Sequence, residues 1–67
     1  MTDTPAYPEV VVSLQGTPVE VFNRVVQALR EAEVPEERRV VFIVAAISTG
    51  EPARVARLWV TEKEKGE

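Results

Sequence analysis

The chain contains no histidine and no cysteine, and its most notable candidates for chemistry are its glutamates, its arginines and its single tryptophan. Catalysis by side chains needs a nucleophile with a base, two carboxylates at a set distance, or a metal ion. Glu36 and Glu37 are adjacent, so on a helix they point roughly 100° apart and cannot form an acid–base pair. They are better explained as the complement of a helix dipole. We therefore predict that the protein is not an enzyme and has no catalytic residue, cofactor or metal site.

The basic residues gather at Arg38 and Arg39 and again at Arg54 and Arg57. Such a cluster can bind phosphate or a carboxylate-rich partner. Glutamates close in sequence cancel most of its field: Glu31, Glu33, Glu36, Glu37 and Glu51. The net charge of -3 also disfavours nucleic acid as the main partner. We expect surface ion pairs here rather than an anion site.

Trp59 is the one residue with a claim to a binding role, because single tryptophans are often interface anchors. At helical spacing from Val55, however, it more simply closes the core of the domain. Both interpretations stay open from the sequence.

The elements that position these residues are organised around residues 40–47, an unbroken apolar run of sequence Val-Val-Phe-Ile-Val-Ala-Ala-Ile. A helix that is apolar all round is a buried helix, whereas the β-branched content also suits a central strand. The flanks favour a helix: Pro35 suits a first turn, Glu36 and Glu37 complement its dipole, and Gly50 is placed to end it. We predict a buried helix over residues 35–48 and keep the strand as the alternative.

A chain of 67 residues has too little other material to cover this run. Without cysteine or histidine, neither disulfides nor zinc can stabilise so small a domain. A second chain is the simplest cover, which predicts a dimer or higher oligomer assembled through the second helix. The candidate interface residues are Val40, Val41, Phe42, Val44, Ala45, Leu58 and Trp59.

The N-terminal third is predicted to hold an arm, a strand and a helix. Residues 1–8 contain Pro5 and Pro8 and form a loose arm, while residues 9–15 alternate as a half-buried strand. Thr17 is expected to cap the following helix, with Pro18 in its first turn and Glu20 completing a capping box. Its apolar face is expected to be Val19, Phe22, Val25, Val26, Leu29 and Ala32.

After Gly50, a short third helix is expected from Pro52, with Val55, Leu58 and Trp59 on one face. A brief strand ending at Thr61 can pair beside the first strand, and residues 62–67 form a charged tail. The fold class is therefore α+β, a β-α-α-(α)-β single domain over residues 9–61. The apolar run is shorter than the roughly 20 residues of a membrane span, and the N-terminus has no signal-type region, so we expect a cytoplasmic protein without membrane contact.

Short segments along residues 10–61 resemble small uncharacterised proteins of actinobacterial bacteriophages and prophages. The segments are Val12-Ser13-Leu14 with Gly16, Ala28-Leu29-Arg30, Ala32-Glu33-Val34-Pro35, Ala46-Ile47-Ser48-Thr49-Gly50 and Arg57-Leu58-Trp59-Val60. The chain departs from that pattern at Glu33, where the turn usually has glycine, and at Glu51-Pro52-Ala53, which replaces an Asp-Tyr-Asp cluster. The resemblance implies a viral or mobile-element source and no known activity.

Together these features predict a non-enzymatic, phage or mobile-element protein that acts by protein–protein interaction. It is expected to assemble with itself and, in addition, to bind a host or viral protein. The alternative is a ribbon-helix-helix DNA-binding regulator, because a strand, a capped helix and an apolar helix follow in the right order.

Overall fold

The computed structural model describes residues 4–63. Five elements follow one another: β1 (Tyr7–Val12), α1 (Pro18–Glu31), α2 (Glu36–Thr49), α3 (Pro52–Ala56) and β2 (Val60–Glu62). The predicted α+β class and element order are confirmed. Residues 40–47 lie within α2, so the helical interpretation of the apolar run is correct and the central-strand alternative is wrong.

The two strands pair in parallel and bring the ends of the chain together. The Tyr7 N–H donates to the Trp59 carbonyl at 2.8 Å, and the Lys63 N–H donates to the Val12 carbonyl at 2.8 Å. Between these points the register is irregular, from Tyr7 to Val11. The Thr61 hydroxyl also donates to the Pro8 carbonyl at 2.7 Å. The closing strand therefore pairs beside the first strand, as the sequence suggested.

β1 begins two residues earlier than the sequence predicted and ends three residues earlier. Tyr7 and Pro8 belong to it rather than to a loose arm, because β2 supplies hydrogen-bond partners from the far end of the chain. Ser13 and Gln15 leave the strand, and both of their carbonyls accept from Arg24 Nη1, at 2.6 and 2.8 Å. Residues 1–3 of the predicted arm and 64–67 of the predicted tail lie outside the described residues.

The start of α1 follows the predicted capping box. The Glu20 N–H donates to Thr17 Oγ1 at 3.2 Å, and the Thr17 N–H donates to Glu20 Oε1 at 3.1 Å. Pro18 occupies the first turn, where its missing N–H leaves no hydrogen bond unmade. Gly16 precedes the cap with φ 109°, a conformation that favours glycine.

The buried face of α1 is rotated from the predicted one. Val25 and Leu29 are buried as expected, but Val21 is buried too, while Val19 and Ala32 are exposed. The reason is that α1 packs against three elements, β1, α2 and α3, and not against a single neighbour. The core therefore lies where α1 meets β1, α2 and α3.

The turn from α1 to α2 closes on Glu33, whose φ of 63° is left-handed. The Val34 N–H donates to the Leu29 carbonyl and the Glu33 N–H to the Arg30 carbonyl, both at 3.0 Å. This is a Schellman-type helix end, which usually has glycine at the left-handed position. Arg39 Nε donates to the Val34 carbonyl at 3.2 Å and ties the turn to α2.

α2 ends at Gly50, which has φ 72° and donates to the Ala46 carbonyl at 3.0 Å, as its position predicted. α3 is only five residues long, and buries Val55 and Ala56. Because the helix stops at Ala56, Leu58 does not share a face with Val55 and is 66% exposed.

Candidate interaction surface

α2 is apolar on two opposite sides, and only one of them is used inside the chain. Its inner side buries Phe42 and Ala46, at 0% and 2% exposure. Residues two positions from these point away from the core, because each residue turns the helix by roughly 100°. The opposite side carries a second set of large apolar side chains: Val40, Val41, Val44 and Ile47. We call these four residues the outer face of α2.

The outer face is well exposed in the single chain. Exposure is 47% at Val40, 53% at Val41, 57% at Val44 and 69% at Ile47. Exposed apolar side chains are ordinary when scattered, but contiguous patches mark interaction sites. Here four lie on two turns of one helix, with no polar side chain in residues 40–47 to interrupt them. A contiguous patch of this kind is typical of a contact surface.

A groove extends the outer face towards α1. It has a volume of about 270 Å³ and an almost wholly apolar lining. Val19 and Phe22 come to it from α1, and Ile47 comes from α2. Val19 is 68% exposed, although the sequence placed it in the buried face of its helix. The groove therefore joins two exposed apolar side chains from different helices into one surface.

The other end of the outer face is bounded by charge. A depression of about 540 Å³ is lined there by Pro35, Glu36, Glu37 and Val40. Both glutamates are exposed in the first turn of α2, where carboxylates complement the helix dipole. The surface thus has an acidic end at residues 36–37 and an apolar groove at its opposite end.

The seven candidate interface residues do not share one surface. Val40, Val41 and Val44 lie together on the outer face, whereas Phe42 is fully buried within the chain and is therefore removed from the candidate set. Ala45 is partly buried against the core. Leu58 lies after α3, where its carbonyl accepts from the Ala6 N–H at 3.1 Å.

Trp59 is partly buried and belongs to an aromatic cluster of the core. Its indole stacks on Tyr7 and meets Phe42 edge-on, with ring centroids 6.0 and 5.8 Å apart. Phe22 stacks on the other side of Phe42 at 6.1 Å. These contacts favour the core-closing interpretation of Trp59.

Sequence reasoning left Ile47 and Val19 out of the candidate set. Ile47 carried the available signal, since it continues the helical stripe of Val40 and Val44. Val19 carried none, because its place on the apolar stripe of an amphipathic helix is typical of a core residue. Its exposure follows from how α2 and α3 pack on α1.

The guanidiniums are engaged in separate local contacts. Arg54 lies 3.7 Å from Glu51, and Arg57 lies 3.0 Å from Glu62, so the predicted surface ion pairs are confirmed at these two positions. The Tyr7 hydroxyl, by hydrogen bonding and charge, raises the pKa of the Arg38 guanidinium above its usual range. Arg39 is bound to the carbonyl of Val34. The basic residues therefore do not form one continuous patch.

Among residues 4–63, no group of three or more acidic side chains is placed to hold a metal ion. Every buried residue in the core of this range is apolar. No helix in the same range is long and apolar enough to cross a membrane.

Comparisons with protein-family models, with curated proteins and with solved structures return no match to this chain. The bacteriophage or prophage source implied by the sequence resemblance stays a prediction.

Proposed function

We propose that this protein acts by protein–protein interaction and works as a homo-oligomer joined through the outer face of α2. The observation that carries the proposal is the exposure of Val40, Val41, Val44 and Ile47 on consecutive turns of one helix. Fully burying one such side chain stabilises a protein by about 1.5–3 kcal/mol. Since each is between 47% and 69% exposed, a substantial part of that stabilisation remains for a partner to supply.

A second copy of the chain is the partner that needs fewest assumptions. It is present wherever the protein is, and it offers the same apolar surface in return. The size of the domain points the same way, because small domains without disulfides or metals commonly gain stability by oligomerising. Binding of a host or viral protein would use the same surface and would compete with self-assembly.

The ribbon-helix-helix alternative has less support. In that fold the N-terminal strands of two chains pair with each other, whereas β1 here pairs with β2 of its own chain. Glu36 and Glu37 are exposed at the start of α2, where they would repel a phosphate backbone. Salt-sensitive binding of duplex DNA by the purified protein would restore this alternative.

The experiment that tests the proposal is the solution mass of two matched variants by light scattering. Val44→Lys places a charge on the outer face, and Val11→Lys places the same charge on β1, at a residue of equal exposure, 57%. We expect the wild type and Val11→Lys to be oligomers and Val44→Lys to be a folded monomer. Identical masses for all three proteins would refute the proposal.

A further inference from the structure

The charges and shape of the outer face also indicate how the two copies are arranged. We propose that the protein is a two-fold symmetric dimer in which the α2 helices pack antiparallel, with Val44 next to Val44 of the partner subunit. This inference rests on the proposed function and adds to it the orientation of the partner.

Charge disfavours the parallel arrangement. Glu36 and Glu37 flank the same end of the outer face, so parallel helices would bring four carboxylates together at one end of the interface. Like charges placed next to each other are destabilising, most strongly where water is removed. Antiparallel packing moves the two pairs about 20 Å apart, because each pair lies about seven residues, or roughly 10 Å, from the centre of the outer face. It also sets the two helix dipoles in opposite directions.

Shape favours the same arrangement. The outer face has a depression at one end, lined by Pro35, Glu36, Glu37 and Val40, and its most exposed side chain, Ile47, lies near the other end. In an antiparallel pair each Ile47 reaches the depression of the other subunit. In a parallel pair the two Ile47 side chains would meet each other and the two depressions would face each other unfilled.

The two-fold axis of the proposed dimer passes through the middle of the outer face. The midpoint between Val40 and Ile47 falls between Ile43 and Val44. Ile43 is partly buried against the core of its own chain, so Val44 is the side chain that points outward at the centre. The groove with Val19 then lies beside Val40 of the partner subunit and widens the contact beyond α2.

Disulfide trapping tests this arrangement cleanly, because the natural chain has no cysteine. Three single variants, Val40→Cys, Val44→Cys and Ile47→Cys, are oxidised alone, and the first and third are also oxidised as a mixture. A disulfide forms only where the two Cα atoms come within about 7 Å. We expect Val44→Cys to cross-link with itself, and Val40→Cys to cross-link with Ile47→Cys faster than either does with itself. Val11→Cys, at the same 57% exposure as Val44, measures the rate of random collision.

The outcomes separate this inference from the proposed function. Efficient self-cross-linking of both Val40→Cys and Ile47→Cys would show parallel helices and overturn the arrangement. A dimeric mass with every α2 variant at the Val11→Cys rate would place the interface elsewhere on the chain, and would overturn both the arrangement and the role of the outer face. A monomeric mass with no cross-linking above that rate would overturn self-assembly altogether.

Discussion

The ring of Tyr7 stacks on the indole of Trp59, with centroids 6.0 Å apart and 20° between the planes. The same two residues are joined through the backbone by a 2.8 Å hydrogen bond from the Tyr7 N–H to the Trp59 carbonyl. Residues separated by most of the chain are thus held by one aromatic pair and one pair of parallel strands. The contact fixes β1 against β2 and leaves the outer face of α2 free.

Removing the ring of Tyr7 is expected to destabilise the fold. Tyr7→Ala should lower the free energy of unfolding by about 1–2 kcal/mol, because an aromatic pair contributes beyond the area that it buries. Tyr7→Phe keeps the stacking and loses only the hydroxyl beside Arg38, so its change should stay within about 0.5 kcal/mol. Urea unfolding followed by the fluorescence of Trp59, the only tryptophan, measures both. Equal losses in the two variants would show that the hydroxyl matters and the stacking does not.

Glu33→Gly is expected to stabilise the protein. Glu33 holds a left-handed φ of 63° in the turn before α2, which costs a residue with a Cβ about 1–2 kcal/mol relative to glycine. Part of the gain is offset by the greater freedom of glycine in the unfolded chain, so about 0.5–1 kcal/mol should remain. Glu33→Ala, which keeps the Cβ, should give no such gain. Thermal unfolding by circular dichroism compares the two, and a gain in Glu33→Ala alone would point to the carboxylate as the source of strain.

Gly16→Ala is expected to break the capping box of α1. An added Cβ would collide with Glu20 Oε1, the atom that accepts the Thr17 N–H. The loss should be about 1–2 kcal/mol, from the cap and the left-handed φ together. In a Glu20→Ala background the collision is absent, so the additional loss should be smaller.

Gly50→Ala is the matched control for this double-mutant cycle. Its Cβ would meet no atom within 4 Å, while its φ of 72° is also left-handed. Its cost should therefore come from the backbone alone and add to that of Glu20→Ala. If the loss of stability from Gly16→Ala also adds to that from Glu20→Ala, the added Cβ is accommodated without disturbing the cap.

The inner and outer faces of α2 are expected to respond differently to truncation. Phe42→Ala should cost about 3–5 kcal/mol at any protein concentration, since this side chain is fully buried. Val44→Ala should leave the Tm unchanged or slightly raised in dilute solution, where alanine is the better helix former. In concentrated solution it should lower the Tm, because association stabilises the folded wild type by mass action. A Val44→Ala effect independent of concentration would mean that Val44 supports the fold of the single chain.

Structural features that depend only on residues close in sequence were predicted correctly. Thr17, Pro18 and Glu20 form the expected cap, and Gly50 ends α2, because each acts on backbone groups within a few residues. The parallel pairing that adds Tyr7 and Pro8 to β1 depends on residues more than fifty positions away. No local pattern near two prolines signals it.

The orientation of α2 was beyond the reach of the sequence for a different reason. A helix that is apolar all round has no preferred face, so its pattern does not tell whether Phe42 or Val44 points inward. The choice is made by size and contact, since Phe42 fills the space between Phe22 and Trp59. The candidate site was therefore found as a segment, and its division into buried and exposed residues required the structure.

Sedimentation equilibrium of the wild type, from about 1 μM to about 1 mM, tests the central claim of self-association most directly. Val44→Lys serves as the reference that should not associate. If the outer face of α2 joins two copies, the wild-type mass will rise with concentration from the chain mass of 7.5 kDa to twice that value, while the variant stays at 7.5 kDa. A wild-type mass of 7.5 kDa across the whole range would contradict the account.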